Sequence, residues 1–341
     1  MQIKLSVIDS RANWKCAVIF ALVIVLVMFW HFMGSRRVLT AGLKSIVLYG
    51  GENKFEYNYE VLGLLNHNNM ARLSAAVDPV TRDLLQKDNN RLFHLVTTFV
   101  PFDHPDVRKG LLINDDLPPT DQEVEARMAE VTNCLQRNLD HSLIAYVHVL
   151  VFREETLTFL QMLDIKNSHK LIIHKNEESP TLKQEVLYAA KYLKGKTVIV
   201  SHQDNYIGEG WEKVNHKVLQ KKKLMYALTR HPSPLKCSAT TTAAHCGEDY
   251  PYMGSHDTFV FHVHTKFPGH QLVEVDVTPN MAGIENVLIW IFKTRFNYKV
   301  LNPCKVLTVY HSHCVSVREM GRERINVEGK NALVYFTYQL E

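Results

Sequence analysis

The chain has almost no charge bias. Its 341 residues hold 39 lysines and arginines against 35 aspartates and glutamates, a formal net charge of +4. That surplus is too mild to argue for a nucleic-acid partner. No N-x-[ST] sequon occurs, so no glycan acceptor marks the surface. There is no internal repeat and no low-complexity segment, and the 18 histidines are scattered rather than gathered in a tract, which removes a metal-storage role. Cysteine is scarce. Of six, five lie in the later chain: Cys134, Cys237, Cys246, Cys304 and Cys314. In an oxidising compartment Cys237 with Cys246, and Cys304 with Cys314, could close short loops, although the sequence does not fix the connectivity, and the odd count leaves at least one thiol free or intermolecular.

One long hydrophobic run is present. Residues 16–33 are apolar except for His31, approaching the ~20 residues that cross a hydrocarbon core, with Trp30 at an interfacial position. Basic residues flank both ends, Lys4, Arg11 and Lys15 before and Arg36, Arg37 and Lys44 after. A cleaved signal peptide is the rival reading, but no A-x-A site follows and two arginines occupy the expected cleavage region. The expectation is an uncleaved type II anchor. Residues 1–15 then form a cytoplasmic tail, 34–90 a stem, 91–320 the main domain and 321–341 a C-terminal extension.

Past the stem, strand and helix patterns alternate. Strands are expected at Leu92–Val100, Leu143–Phe152, Leu171–His174 and Thr197–Val200. Between them lie helices opened by the capping box Thr120–Glu123, at Glu154–Met162 and at Thr181–Leu193. The alternation predicts an α/β, Rossmann-like sheet. The second half is richer in strands, at Leu224–Leu228, Thr258–Val263 and Val306–Tyr310, with one long helix at Ile284–Phe296.

Several residues stand where chemistry is placed in such sheets. Asp204 follows the strand Thr197–Val200, and ligands bind beyond the carboxyl ends of parallel strands. A carboxylate there can hold a divalent cation against a diphosphate, although Asp204-Asn205 is also ordinary turn chemistry. His311 and His313 alternate at the end of Val306–Tyr310, as two imidazole ligands would. Glu285 opens the long helix and Asp257 opens a strand, each a carboxylate that could take a proton. Arg230 ends another strand and Arg318 follows the histidines, both suited to phosphate. The run Lys221-Lys222-Lys223 reads as a solvated face.

Taken in order, these segments resemble a known family. They are Glu123…Cys134-Leu135…Asn138, Thr197-Val-Ile-Val-Ser-His-Gln-Asp204, Ala227-Leu-Thr-Arg230 and Gly254-Ser-His-Asp257-Thr-Phe-Val-Phe261. Gly283-Ile-Glu-Asn286, Asn302-Pro303 and Tyr310-His-Ser-His313…Arg318 complete the set. The order is similar to glycosyltransferase-like proteins with the GT-A fold, some of them membrane-anchored, over residues 91–320. In that family the loop after the central strand supplies the aspartate that contacts metal and nucleotide, a role the resemblance carries to Asp204, with Asn205 beside it. Here Asn205 and Tyr206 leave the D-x-D pair incomplete. The resemblance further implies Glu285 as acceptor-side base, with Asp257 as second choice, and His311 or His313 as metal ligand.

The resemblance implies a GT-A domain behind a transmembrane helix in the Golgi or endoplasmic reticulum. Such a domain would use Mn²⁺ or Mg²⁺ and a UDP- or GDP-linked nucleotide-sugar donor, with Arg230 and Arg318 around the phosphates. The acceptor would be a glycan, protein or lipid. The alternative is a membrane-tethered luminal binding or scaffold protein that kept the fold and lost catalysis.

Overall fold

The computed structural model describes residues 46–49, 92–102, 105–109, 111–113, 117–234, 245–247, 255–264, 266–279, 281–315, 317–319, 324–325 and 327–341. Among these no helix is long and apolar enough to cross a membrane, and the expected span at 16–33 lies outside them.

A mixed sheet of eight strands organises the described residues. Its strands are β1 Ile46–Tyr49, β2 Phe93–Thr98, β4 Ile144–Val151, β5 Leu171–Lys175, β6 Thr197–Ser201, β8 Leu224–Leu228, β10 Thr258–His262 and β11 Lys299–Leu301. They lie side by side in the order β1-β5-β4-β2-β6-β10-β8-β11. All run parallel except β10, which is antiparallel to both β6 and β8. The expected stem thus contributes β1, paired with β5. Helix α1 covers Pro105–Arg108. Helices α2 Asp121–Asp140, α3 Glu154–Met162 and α4 Leu182–Tyr192 make the crossovers that a parallel sheet requires. Helix α5 His216–Lys222 precedes β8, and α6 Ile284–Thr294 packs behind the second half.

Alternation along the strands divides the core into two layers. Phe93, Leu95, Ile199, Val260, Tyr226 and Leu228 face the layer shared with α2, where Val124, Met128, Val131, Leu135 and Leu139 form its apolar stripe. Val96, Val198, Val200, Phe259, Phe261 and Met225 face the other layer, with Val186 and Ala189 of α4 and Val287, Leu288 and Ile291 of α6. The Thr120–Glu123 capping box forms as its sequence requires, and a second one forms at Thr181–Gln184.

Two small sheets complete the domain. Strands β7 Asn205–Ile207, β12 Val309–His311 and β9 His231–Pro232 form one of them, with β12 in the middle. The other pairs β13 Val317–Glu319 with β3 Leu111–Ile113. The strand expected at Val306–Tyr310 therefore begins later and ends one residue further on. Leu307 is fully buried, while Val306 and Leu307 donate their amides to Pro303 in a turn. The described part of residues 321–341 is docked rather than detached. Ala332 donates to Asn286, Phe336 bridges to Asn302, and the Tyr226 hydroxyl donates to the Leu340 carbonyl at 2.6 Å.

The disulfide connectivity differs from the short loops expected. Cys246 joins Cys304 across 58 residues, so the loop before β10 is tied to the turn after β11. Cys314 is also in a disulfide, and Cys134 is the buried free thiol. Sequence proximity misleads because loops far apart in the chain meet at one sheet edge.

Leu139 is wholly buried on α2 whereas Met162, at the end of α3, is 74% exposed. Leu139→Ala is expected to lower the unfolding free energy by about 2–5 kcal/mol, and Met162→Ala by less than about 0.5 kcal/mol. Urea titrations of the two variants check this.

Candidate functional site

The chain crosses from β2 through α2 to β4 and β5 on one side, and returns through α4 to β6 on the other. That reversal, at the carboxyl ends of β2 and β6, is the kind of switch point where open α/β sheets bind ligands. Asp204 lies there, three residues past β6. Strand β7 begins at the next residue and pairs antiparallel with β12, His311 opposite Asn205. This pairing brings the amide of Ser312 to the carbonyl of Asp204 at 2.8 Å and sets His311 and His313 around the Asp204 carboxylate. The Asp204 Oδ2 atom is 3.2 Å from His311 Nε2 and 3.6 Å from His313 Nδ1.

Helix α2 holds both segments in place. Arg127, 3% exposed, reaches Asp204 Oδ2 at 2.5 Å and donates to the Ser312 carbonyl at 2.7 Å. Glu130 pairs with Arg127 at 2.8 Å and accepts from the amides of Cys314 and Val315. Asn138 donates to the Asn205 carbonyl and accepts from the Ile207 amide. Gly210 makes the loop after β7 possible. Its φ is 89°, and a Cβ there would lie 1.9 Å from the Val306 carbonyl oxygen, where no side chain fits. Trp211, fully buried behind it, donates its indole N–H to Thr308.

A second ionic cluster adjoins the first. Arg230 Nη1 donates to Asp257 Oδ2 at 2.7 Å and lies 3.2 Å from His311 Nε2. The hydroxyl of Ser255 donates to the other Asp257 oxygen, and the Asn205 side chain donates to the Asp257 carbonyl at 3.3 Å. Glu285 stands in the first turn of α6 behind Gly283, whose φ of 87° brings the chain within a Cβ's reach of the Ile325 carbonyl. The sequence candidates Asp204, Asn205, Arg230, Asp257, Glu285, His311 and His313 are thus gathered at one edge of the sheet. Arg318 pairs with Leu112 through β13, but its side chain is outside the described residues. Arg127, Glu130 and Asn138 join the site without a motif to mark them. Their only signal in the sequence is a polar stripe at helical spacing beside the apolar face of α2.

The charges are tuned by these contacts. Burial alone would raise the Asp204 carboxyl; His311 and Arg127 outweigh it and hold the group well below its ordinary range. Arg127, always charged, is the dominant source of that effect. Burial lowers His311 to about 4 against the pull of Asp204, and lowers His313, so both imidazoles are neutral at pH 7. Asp257 is also lowered, Arg230 overcoming its burial. Glu285 moves the other way, up to about 8, through burial and the charge of Asp257. Two neighbouring carboxyls therefore differ in protonation at neutral pH.

Ligand atoms of Asp204, His311 and His313 lie within 4.8 Å of one another, the one such grouping among the described residues. One carboxylate oxygen and two neutral imidazole nitrogens suit a transition-metal dication better than Mg²⁺, which prefers oxygen alone.

No protein-family profile matches the chain, and no curated protein matches its sequence. Several solved structures are partly similar. A protein named a nucleotide-diphospho-sugar transferase, from Desulfovibrio desulfuricans G20, is 9% identical over 62% of this chain and 78% of its own, with a TM-score of 0.35. Residues 1–349 of TarS from S. aureus are 13% identical over 65% of this chain and 60% of theirs, with a TM-score of 0.35. A cytidylyltransferase from Leptospira borgpetersenii is 12% identical over 62% and 75%, with a TM-score of 0.30. Activity cannot be inferred from likeness at this level.

The buried charges set two expected outcomes. Arg127→Leu leaves a buried carboxylate without its cation and is expected to cost about 3–5 kcal/mol at pH 7 by urea denaturation. Glu285 titrates at about 4.3 when unfolded and at about 8 when folded. Its contribution to stability is full below the unfolded value and is lost as pH rises toward the folded one. Glu285→Gln should therefore gain stability relative to the unsubstituted protein on going from about pH 5 to about pH 8. A pH-independent difference would mean Glu285 is ionised throughout.

Proposed function

We propose that this chain is a transferase acting on a nucleotide-sugar donor, with a glycan, protein or lipid as acceptor. The observation that carries the reading is the meeting of Asp204, His311 and His313 beside two arginines at the sheet's switch point. A ligand with concentrated negative charge and a cation of its own accounts for neutral imidazoles, an ionised carboxylate and guanidinium groups gathered at one sheet edge. A dication on Asp204, His311 and His313 would neutralise diphosphate charge as the glycosidic bond breaks. Arg230, hydrogen-bonded to Asp257 and adjacent to His311, is placed to bind a phosphate oxygen. Glu285 holds its proton at neutral pH, so the base that would take a proton from an acceptor hydroxyl is its minor ionised form, made strong by burial and by the ionised Asp257 beside it. In this reading the chain is a single-pass type II protein of the Golgi or endoplasmic reticulum with its catalytic domain luminal.

One observation favours a second reading, a tethered binding or scaffold protein without turnover. Arg127 already satisfies an Asp204 oxygen at 2.5 Å, and its charge substitutes in part for a dication. The two readings separate in one assay. With Mn²⁺ present, the full chain is expected to release nucleoside diphosphate from one member of a nucleotide-sugar panel. Asp204→Asn is expected to lower the rate by about 10²-fold or more, with thermal unfolding kept cooperative. An unchanged rate in Asp204→Asn would refute the assignment, and nucleotide-dependent stabilisation without release from any donor would favour the scaffold.

A further inference from the structure

A cavity lies at the opposite edge of the main sheet, at the amino ends of β2 and β6 and the carboxyl end of β10. Its volume is about 370 Å³, within the range of small-molecule sites. Strand β6 spans five residues, which at ~3.3 Å each puts its two ends ~13 Å apart. The cavity is therefore separate from the Asp204 site. Among the described residues no acidic one lines it. Three lysines do, Lys196, Lys217 and Lys221, together with His94, His216 and His262. The basic run read in sequence as a solvated face thus turns one of its members, Lys221, to a cavity, and α5 adds Lys217 one turn earlier.

His262 gives this cavity the character of a built site. It is 7% exposed, and its Nδ1 lies 3.3 Å from the Thr197 hydroxyl. The His262 Nε2 is buried and has no hydrogen-bond partner among the described residues; in the tautomer whose Nδ1 accepts from the Thr197 hydroxyl, Nε2 carries the ring proton. A buried donor left unmatched costs free energy, and a ligand acceptor in the cavity would satisfy it. His94 fixes the inner wall, its Nδ1 3.1 Å from His148 Nε2, and His148 Nδ1 in turn 3.0 Å from the Tyr188 hydroxyl. Phe93 packs on the His216 ring at 4.5 Å. The inner wall is hydrogen-bonded, the mouth carries lysines, and the His262 Nε2 is unmatched among the described residues.

We propose that this cavity binds a compact phosphate-bearing ligand, held by Lys196, Lys217 and Lys221 with His262 Nε2 donating to it. A dication is not the occupant, because the imidazoles share the space with three ammonium groups and no carboxylate. The phosphate has two possible sources, a soluble metabolite or a lipid headgroup. The test is calorimetric titration of the full chain with inorganic pyrophosphate in EDTA, which removes any dication-dependent binding at Asp204. Saturable binding is expected, weakened about tenfold or more by Lys217→Glu with Lys221→Glu and unchanged by Asp204→Asn. His262→Phe, which keeps the ring and removes the donor, should weaken binding while leaving the unfolding transition cooperative. Absence of saturable heat both with pyrophosphate and with phosphoinositide vesicles would overturn the proposal. So would heat that survives the double lysine reversal, or that disappears in Asp204→Asn. Binding to the vesicles alone, sensitive to the same lysines, would assign the phosphate to a lipid.

Discussion

A guanidinium and a carboxylate buried together at the end of β6 constrain everything around them. Arg127 and Asp204 are each too costly to desolvate alone, so the structure must keep them in contact and satisfy their remaining valences. It does so with groups from α2 itself and from one other stretch of chain. Glu130 comes from α2, while the Ser312 carbonyl and the two histidines come from the segment that ends β12. The pair therefore fixes the position of α2 against β7 and of β12 against both. If the site were organised by apolar packing alone, small slips in register would be tolerated. With a buried ion pair in it, a slip of one residue would leave a charge unpaired.

The small sheet of β7, β12 and β9 is the mechanical counterpart of that constraint. Its strands are three, three and two residues long, far too short to persist alone. They hold because Asn138 takes both a carbonyl and an amide of β7, and because Trp211 fills the space behind the loop and anchors Thr308. The Cys246–Cys304 bridge and the docked C-terminal segment tie the remaining loops of the same edge. Closing loops this distant costs chain entropy, and the bridge removes part of that cost from the unfolded chain. The edge that carries the candidate site is thus heavily cross-linked.

How much of this a sequence reveals depends on whether each signal is local. The helices Glu154–Met162 and Thr181–Leu193 and six strands of the main sheet are legible because their period and caps are local properties, whereas β1 in the expected stem and the three-residue β11 are not. Asp204, Glu285, His311 and His313 are legible as candidates because each stands at the end of a regular element, where ligands collect. The polar stripe Arg127, Glu130 and Asn138 is not, since a charged residue on an amphipathic helix ordinarily faces water, and only the return of β12 buries it. The disulfide misleads for the same reason: Cys246 is nearer Cys237 in the chain, yet it bonds Cys304. Lys221 belongs to a run whose common fate is solvent, and only the fold sets it at a cavity mouth.

The two carboxyls next to Arg230 carry the argument one step further. Asp257 is 2% exposed and Glu285 9%, so burial penalises both, yet Asp257 has a cation at hydrogen-bonding distance and Glu285 relies on more distant ones. The charge of Asp257 then adds to the burial of Glu285 and drives that proton affinity up. One arginine is therefore enough to split the pair into an ionised and a neutral member. Any anionic ligand drawn to Arg230 would weaken its hold on Asp257 and shift both carboxyls together. The coupling makes ligand charge and acceptor-side protonation a single variable at this edge, and it arises from three side chains contributed by β8's end, β10's start and α6's first turn.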